Sequence, residues 1–499
     1  TEGIPENISV TALAYDPNNK NIFYAGTGES YTRAGPGNGL WKSTDGGTTW
    51  GKIFGGFGAS NEVLFINDVV VRDNSGSSEV YVAASLNYLN GKWLSDKAFG
   101  LYKSTNGTDF TRIKTTIPGS SWWYQPMDLE ICPKTNKLWY STTGRALGIG
   151  GGTILVSNSD ITSFERKYWD DGDGSKGRRM ELEIASDGTI YAFASTGQYS
   201  IKMIKSSDEF ATDAITLTLP NPVDEGQSDD DFTRGQSFYD LMLESDPSNS
   251  NNIFTGGIDL YKSSTAGIKS SVNPWDQISK WSNNNQLRNL DVSYSHSDQH
   301  GLVFSEIDSK KKLFGNDGGI YYGVTNDDGK ESLSSRNKSL NTSQIYSIGV
   351  APYEMFKDKT ETVPGADISK NYASLPLTIS GITDVVVSGL QDNGSQLIAN
   401  NSNETSPSSM ITGGDGAASM FSQNLDKRYL ITNYVFNQSI MVYDFESDNW
   451  YSINSEGGQT GDFINTNALD SKEGYLYTNY TSSEYQIALF YNWDDFKGS

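Results

Sequence analysis

Gly39 to Trp50, GLWKSTDGGTTW, is the stretch whose reading decides the fold. It predicts a strand from Leu40 to Ser43, a tight turn carrying Asp45, Gly46 and Gly47, and a return strand opening at Trp50. An Asp at such a turn accepts hydrogen bonds from the backbone N–H groups that follow it, and glycine takes positive φ without a Cβ penalty. Trp50 is expected to fold its ring over the turn and shield those bonds from water. The unit is a self-contained hairpin clip with Ser43, Asp45, Gly47 and Trp50 as its structural residues.

Working outward, the clip belongs to a longer unit: an apolar strand ending near Asp-Pro, a short polar turn, a second strand, then the clip. The first copy is ALAYDPNNKNIFYAGTGE, Ala12 to Glu29. The second runs INDVVV, EVYVAAS and Gly100 to Phe110, where Asn106 replaces the Asp. Further copies start at Met127, Glu181, Tyr239, Gly301, Ile345, Ala418 and Asn467, the one at Ile345 carrying an insertion before Val385 to Gln396. Four short strands per repeat, and about nine repeats of roughly 40–60 residues, point to an all-β chain built as a large β-propeller. The expected blade count is about nine, within a range of eight to ten, with the clips on the outer rim. A β-helix would repeat at roughly 20–30 residues and a sandwich would not repeat one motif so often. Residues 1–499 are read as a single propeller; the alternative is two propellers or half-propellers dividing near 281–300.

Composition agrees. Glycine (51 residues), 28 Tyr and 11 Trp beside 36% hydrophobic residues describe short strands and turns with aromatics carrying much of the packing. A net charge of −23 argues against nucleic acid and anionic membrane surfaces, which draw on clustered Lys and Arg. Cys132 is the single cysteine, so no intramolecular disulfide forms. No apolar run reaches the roughly 18 residues of a membrane span; the best, Leu375 to Leu390, is broken by Asp384.

Ser43 to Trp50, STDGGTTW, resembles the Asp-box, or bacterial-neuraminidase repeat, in full, and Ser104 to Phe110 and Ser206 to Phe210 resemble it in part. Asp-boxes occur in sialidases, in xyloglucan-degrading glycosidases with two propellers, in sortilin-type propellers and in photosystem II assembly propellers. The wider pattern YAGTGES, GGIDLYKS, SHSDQHGLVF, GNDGGIYYG, GLQDNGSQ and GGDGAASMF is similar to a group of large secreted Asp-box proteins of Bacteroidetes. That resemblance implies an extracellular or outer-surface location and export by type IX secretion.

Three groups of residues are candidates for chemistry. His296, Asp298 and His300 alternate in HSDQH, the only two histidines of the chain; on an extended strand all three share one face, a ligand set suited to Zn²⁺ or another transition metal. The alternative is structural hydrogen bonding between loops. Asp317 in GNDGG, Asp392 in QDNGS and Asp415 in GGDGA each follow a strand and sit among glycines. Converging at one end of a channel they could bind Ca²⁺ or supply the acid and base of glycosidic cleavage, or they could be turn residues only. Trp122, Trp123 and Tyr124 form a possible stacking platform for sugar rings, or a packing element between blades. Asp170 to Gly174 resembles part of a calcium loop, but Leu182 stands where the twelfth-position Glu would be.

The resemblance to xyloglucanases implies catalytic aspartates in Asp-x-Gly-Gly motifs. Here YAGTGES offers Glu29 and no matching Asp, and GNDGG carries Asn316 where the catalytic Asp would fall. The arginine signature of sialidases is absent, Arg112-Ile113-Lys114 being the nearest text. The reading is therefore a secreted or cell-surface binding or adhesion scaffold rather than an enzyme. Its expected partners are a polysaccharide or a cell-surface protein, together with the secretion machinery. The alternative is a glycoside hydrolase acting on a plant or algal polysaccharide. No cofactor is required by the sequence beyond a possible Ca²⁺.

Overall fold

The computed structural model describes the chain except residues 1–2, 5–7, 32–34, 145, 170–178, 196–200, 225–230, 271, 284, 339, 341–342, 370–371, 382–383, 400–407, 454–460, 480–486 and 493–499. The Asp170 to Gly174 stretch lies outside the described residues.

The chain is all-β, and its strands form successive four-stranded antiparallel sheets in which neighbours in sequence are mostly neighbours in space. The sheets fall into two compact units. Unit 1 comprises 1–281, 290–316 and 320–336; unit 2 comprises 282–289, 317–319 and 337–499. Unit 1 gathers six of the four-stranded sheets; unit 2 holds the other two and a three-stranded one. Hairpin repeats announce each sheet, but nothing in a repeat says which sheet it packs against.

The six blades of unit 1 begin with the inner strands Val10–Asp16, Phe65–Asn74, Pro126–Ile131, Arg179–Ile184, Met242–Asp246 and Gln299–Ser305. Apolar residues fill both faces of a middle strand such as Ile190–Ser195, which is covered on both sides. A separate buried cluster sits between each blade and the next, from Tyr24, Ile66 and Val80 between blades one and two to Phe254, Leu302 and Phe314 between five and six. Blades approach closely: a Cβ at Gly26 would stand 2.5 Å from Ile66 Cγ2. This layering of sheets around a centre is a propeller. Blades six and one meet differently. Glu306 accepts a hydrogen bond from Tyr15 Oη at 2.7 Å and pairs with Lys20, while Leu13 and Val303 remain more than half exposed.

The clip recurs between the third and fourth strands of a blade. Asp45 Oδ1 accepts the N–H groups of Thr48 and Thr49 at 3.1 and 2.9 Å, Ser43 Oγ accepts that of Gly47, and Trp50 Nε1 donates to Gly47 O at 3.0 Å. Gly47 has φ 86°, which explains the glycine. Asn106 Oδ1 accepts the Thr108 and Asp109 amides in the same way, and Asp208 serves Thr212. The hydroxyl and amides around Asp45 hold its carboxyl down at about 2, with the Thr49 hydroxyl contributing most.

In unit 2 the strands Ile345–Val350, Val385–Leu390, Ser395–Ala399 and Ser408–Thr412 form one sheet, and the insertion before Val385 folds into two small hairpin pairs. A second four-stranded sheet opens at Gly416–Phe421 and a three-stranded one at Asn467–Asp470. Ser347 Oγ donates to Ala417 O at 2.6 Å and accepts the Ser419 amide at 2.9 Å, joining the first two inner strands. Phe356, Phe421, Leu430 and Tyr443 form the main core.

Candidate functional site

Several inner strands in both units begin with a β-bulge, and bulges re-aim side chains. Register slips between Val10 and Ala12, Ile66 and Asp68, Pro126 and Leu129, Gln299 and Gly301, and Ile345 and Ser347. Thr11, Asn67, Asp128, His300 and Tyr346 stand at these slips.

In unit 1 they border a cavity of about 1080 Å³ that takes in the centre of the blades and the gap between blades six and one. One wall is apolar, with Leu13, Val303 and Phe314; the other carries Asp68, Asp128, Glu181, Glu244 and Arg179. Arg179 Nε donates to Glu181 Oε1 at 2.6 Å and its Nη2 to Leu241 O at 3.1 Å, while its guanidinium lies 4.9 Å from the centre of the Tyr31 ring. Tyr239 packs edge-on against His300 with ring centres 4.6 Å apart. Burial pushes the Asp68 carboxyl up to about 6 and the carboxyls of Asp128 and Glu244 well above the usual range, each reinforced by neighbouring acids. The sequence reading passed over these acids. Their signal is an acid inside an otherwise apolar strand, in INDVVV, MDLEI, MELEI and LMLESD.

In unit 2 the three glycine-flanked aspartates come together. Asp317 and Asp392 bring carboxylate oxygens within 4.8 Å of each other. Asp415 Oδ1 accepts the Asp392 amide at 3.0 Å, and Asn393 Nδ2 donates to Asp317 O at 3.1 Å. Asp392 has φ 55°, a left-handed turn position that Asp tolerates. Tyr346, at the bulge, faces this group. Burial first, then the charges of Asp415, Asp392 and Asp317, raise its phenol above the ordinary value. Tyr434 is raised by burial and by Asp415 and Asp392.

The remaining sequence candidates are placed as follows. His296, Asp298 and His300 lie in unit 1, and their ligand atoms do not gather into a three-residue metal group. The inner strand starts only at Gln299, and Asp298 has φ 63°, so the strand alternation that would align the three does not operate. Instead His296 Nδ1 lies 3.2 Å from Ser297 O, Asp298 lies 3.4 Å from Gln236 Nε2, and His300 faces Tyr239. Trp122 is 48% exposed, Trp123 is covered by Arg112 with its guanidinium 4.1 Å from the ring centre, and Tyr124 is buried in the core. The three aromatics therefore do not form one platform.

Among the described residues no helix is long and apolar enough to cross a membrane. No protein-family model matches the chain, and no curated protein matches it. Among solved structures, it is similar to the GH74 enzyme of Niastella koreensis at 16% identity and TM-score 0.47, over 97% of this chain and 70% of that one. It is similar to the GH74 xyloglucanase of Xanthomonas campestris at 11% identity and TM-score 0.48, over 96% and 72%. YCF48 from Cyanidioschyzon merolae aligns at 11% identity and TM-score 0.28, over 77% and 98%.

Proposed function

We propose that the protein is a carbohydrate-directed propeller protein whose unit 2 acids cleave a glycosidic bond. The observation that carries this reading is the pair Asp317 and Asp392, with carboxylate oxygens within 4.8 Å of each other and Tyr346 alongside. Glycosidases that retain configuration use two carboxyl groups about 5–5.5 Å apart, one protonating the leaving oxygen and one attacking the sugar. Asp415 has a positioning role, since its oxygen fixes the backbone of the Asp392 turn. The hairpins at Ser43 to Trp50, Ser104 to Asp109 and Ser206 to Thr212 are read as Asp-boxes with no part in the chemistry. Xyloglucan heads the substrates to try, because the Xanthomonas campestris enzyme of similar fold is a xyloglucanase, and other plant and algal polysaccharides follow it.

The test is release of reducing ends from these polysaccharides by the wild type and by Asp317→Asn and Asp392→Asn. The reading expects activity in the wild type and loss of about two orders of magnitude or more in each variant. Absence of hydrolysis across the panel overturns it.

A second reading, a binding or adhesion scaffold at the cell surface exported by type IX secretion, is favoured by one observation. Asp415 already satisfies the Asp392 amide, as an acid serving a turn would. Binding of the same polysaccharides without cleavage distinguishes it.

A further inference from the structure

The unit 1 cavity is open to solvent on one side and charged on the other. At the gap between blades six and one, Leu13 is 65% and Val303 69% exposed, so a molecule reaches the cavity from there without any strand moving. Phe23, Leu313, Phe314 and Ile320 extend that apolar lining. The volume, about 1080 Å³, stands at the upper end of small-molecule sites, which run from roughly 300 to 1,000 Å³.

The polar wall lacks cations for its acids. Among the described residues five acids line the cavity, Glu29, Asp68, Asp128, Glu181 and Glu244, and Arg179 is the one lysine or arginine beside them. Arg179 is fully committed: Nε donates to Glu181, Nη1 to Tyr239 O and Nη2 to Leu241 O. Asp68 accepts the Val69 and Leu129 amides and Asp128 that of Leu182. Those bonds hold the carboxyls in place, but an amide carries no charge to offset theirs. Glu244 is half-buried, and among the described residues its carboxyl makes no hydrogen bond and no ion pair. Burial, then its acidic neighbours, push that carboxyl well above the ordinary range, as expected of a negative charge without a partner.

A bare metal ion does not fit this lining. It needs carboxylate oxygens that converge on one point, and among the described residues no three of these acids do so. An ammonium group is satisfied by one carboxylate and carries carbon that the apolar wall can cover. Tyr31, Tyr239 and His300 add a row of rings to the lining, with successive centres 6.5 and 4.6 Å apart, and the Tyr31 ring already receives the Arg179 guanidinium. Aromatic faces together with acids are the surroundings that recognise alkylammonium ions.

We propose that the unit 1 cavity binds an amphiphilic organic cation, an alkylammonium whose head pairs with Glu244 and the tyrosine rings and whose chain lies along Leu13, Val303 and Phe314. Charge complementarity selects the head, and the open apolar gap selects the chain. No acid of unit 2 takes part, so this site and the hydrolase reading stand or fall separately.

The probes are octylammonium, octanoate and 1-octanol, which share one chain length and differ in the charge of the head, each titrated by calorimetry into the full chain at pH 8. The expected result is that octylammonium binds about tenfold or more tightly than the other two and that Glu244→Gln removes the preference. Val303→Ser, on the exposed lip of the gap, should weaken octylammonium about threefold and leave the preference for the cation in place. Gln is neutral and close in shape to Glu, so Glu244→Gln should melt no lower than the wild type at pH 8, and its loss of binding then reports the head contact rather than the fold. Failure of octylammonium to bind, equal affinity for all three probes, or a preference that survives Glu244→Gln overturns the inference. So does a dimer, seen by sedimentation, that excludes octylammonium, because a second copy of the chain then covers the gap.

Discussion

Asp128, on the third inner strand of unit 1, accepts the backbone N–H of Leu182 on the fourth at 2.6 Å. Asp68 takes the Leu129 amide at 2.9 Å, and Glu183 takes that of Ser245 at 3.2 Å. Carboxyl groups thus staple the second, third and fourth inner strands to the blade that follows each, and they do so where water is scarce.

That placement predicts the pH dependence of unit 1. Burial raises Asp68 to about 6 and Glu183 to about 7, and lifts Asp128, Glu130 and Glu244 well above the usual carboxylate range. Across the window from the ordinary value to the raised one the folded chain holds more protons than the unfolded chain. Stability therefore falls as pH rises through roughly 4 to 7. For Asp68 alone, starting from 3.8, the shift corresponds to about 3 kcal/mol. Melting followed by circular dichroism should show a higher Tm at pH 5 than at pH 8, and Asp128→Asn, which keeps an acceptor for Leu182, should flatten the difference. A Tm that climbs between pH 5 and 8 contradicts this account.

Glu331 bonds Lys312 Nζ at 2.8 Å and Lys262 Nζ at 2.9 Å, and accepts Thr325 Oγ1 at 2.7 Å, with the Lys312 and Glu331 side chains fully buried. Burial lowers the Lys312 pKa against the pull of Glu331. Removing the acid strands a buried ammonium, so Glu331→Ala should cost about 3–5 kcal/mol in chemical denaturation. Replacing Lys312 by Met in the same chain should recover part of the loss.

At the clip, the amide oxygen of Asn106 does what the Asp45 carboxylate does. Asp45→Asn should then melt close to the wild type, and Asp45→Ala lower, because only the second leaves the Thr48 and Thr49 amides without their acceptor. The Asp45 carboxyl is held down, so its contribution is present above the ordinary value of 3.8 and is lost as pH falls through about 2. Equal melting of the two variants at neutral pH would show that the turn holds without its acceptor.

Phe232 is fully buried and sits edge-on between Phe193 and Tyr261, with ring centres 5.4 and 5.5 Å away. Phe232→Ala should destabilise unit 1 by about 3–5 kcal/mol through the cavity it leaves, read as a lower denaturant midpoint. A loss below about 1 kcal/mol would mean that the core between blades four and five collapses around the gap.

The repeat was legible because turn chemistry is local: Asp45, Gly47 and Trp50 state their geometry within a single turn. The convergence of Asp317, Asp392 and Asp415 was legible as a possibility because each acid sits among glycines after a strand. Asp68 and Asp128 were not, since an acid in an apolar strand is visible but its target amide belongs to the next blade. The alignment of His296, Asp298 and His300 depends on strand alternation, which the left-handed backbone of Asp298 interrupts just before the strand begins.

The junction of blades six and one has a kinetic consequence. Where the carboxyl staples bridge strands in sequence order, opening one blade breaks bonds on its neighbour. Val10–Asp16 is tied to blade six through Glu306, near the surface, and flanks the cavity on that side. Amide hydrogens along Val10–Asp16 and Gln299–Ser305 should exchange with solvent before those of Arg179–Ile184, so that unfolding of unit 1 starts as a seam and spreads inward from both of its lips.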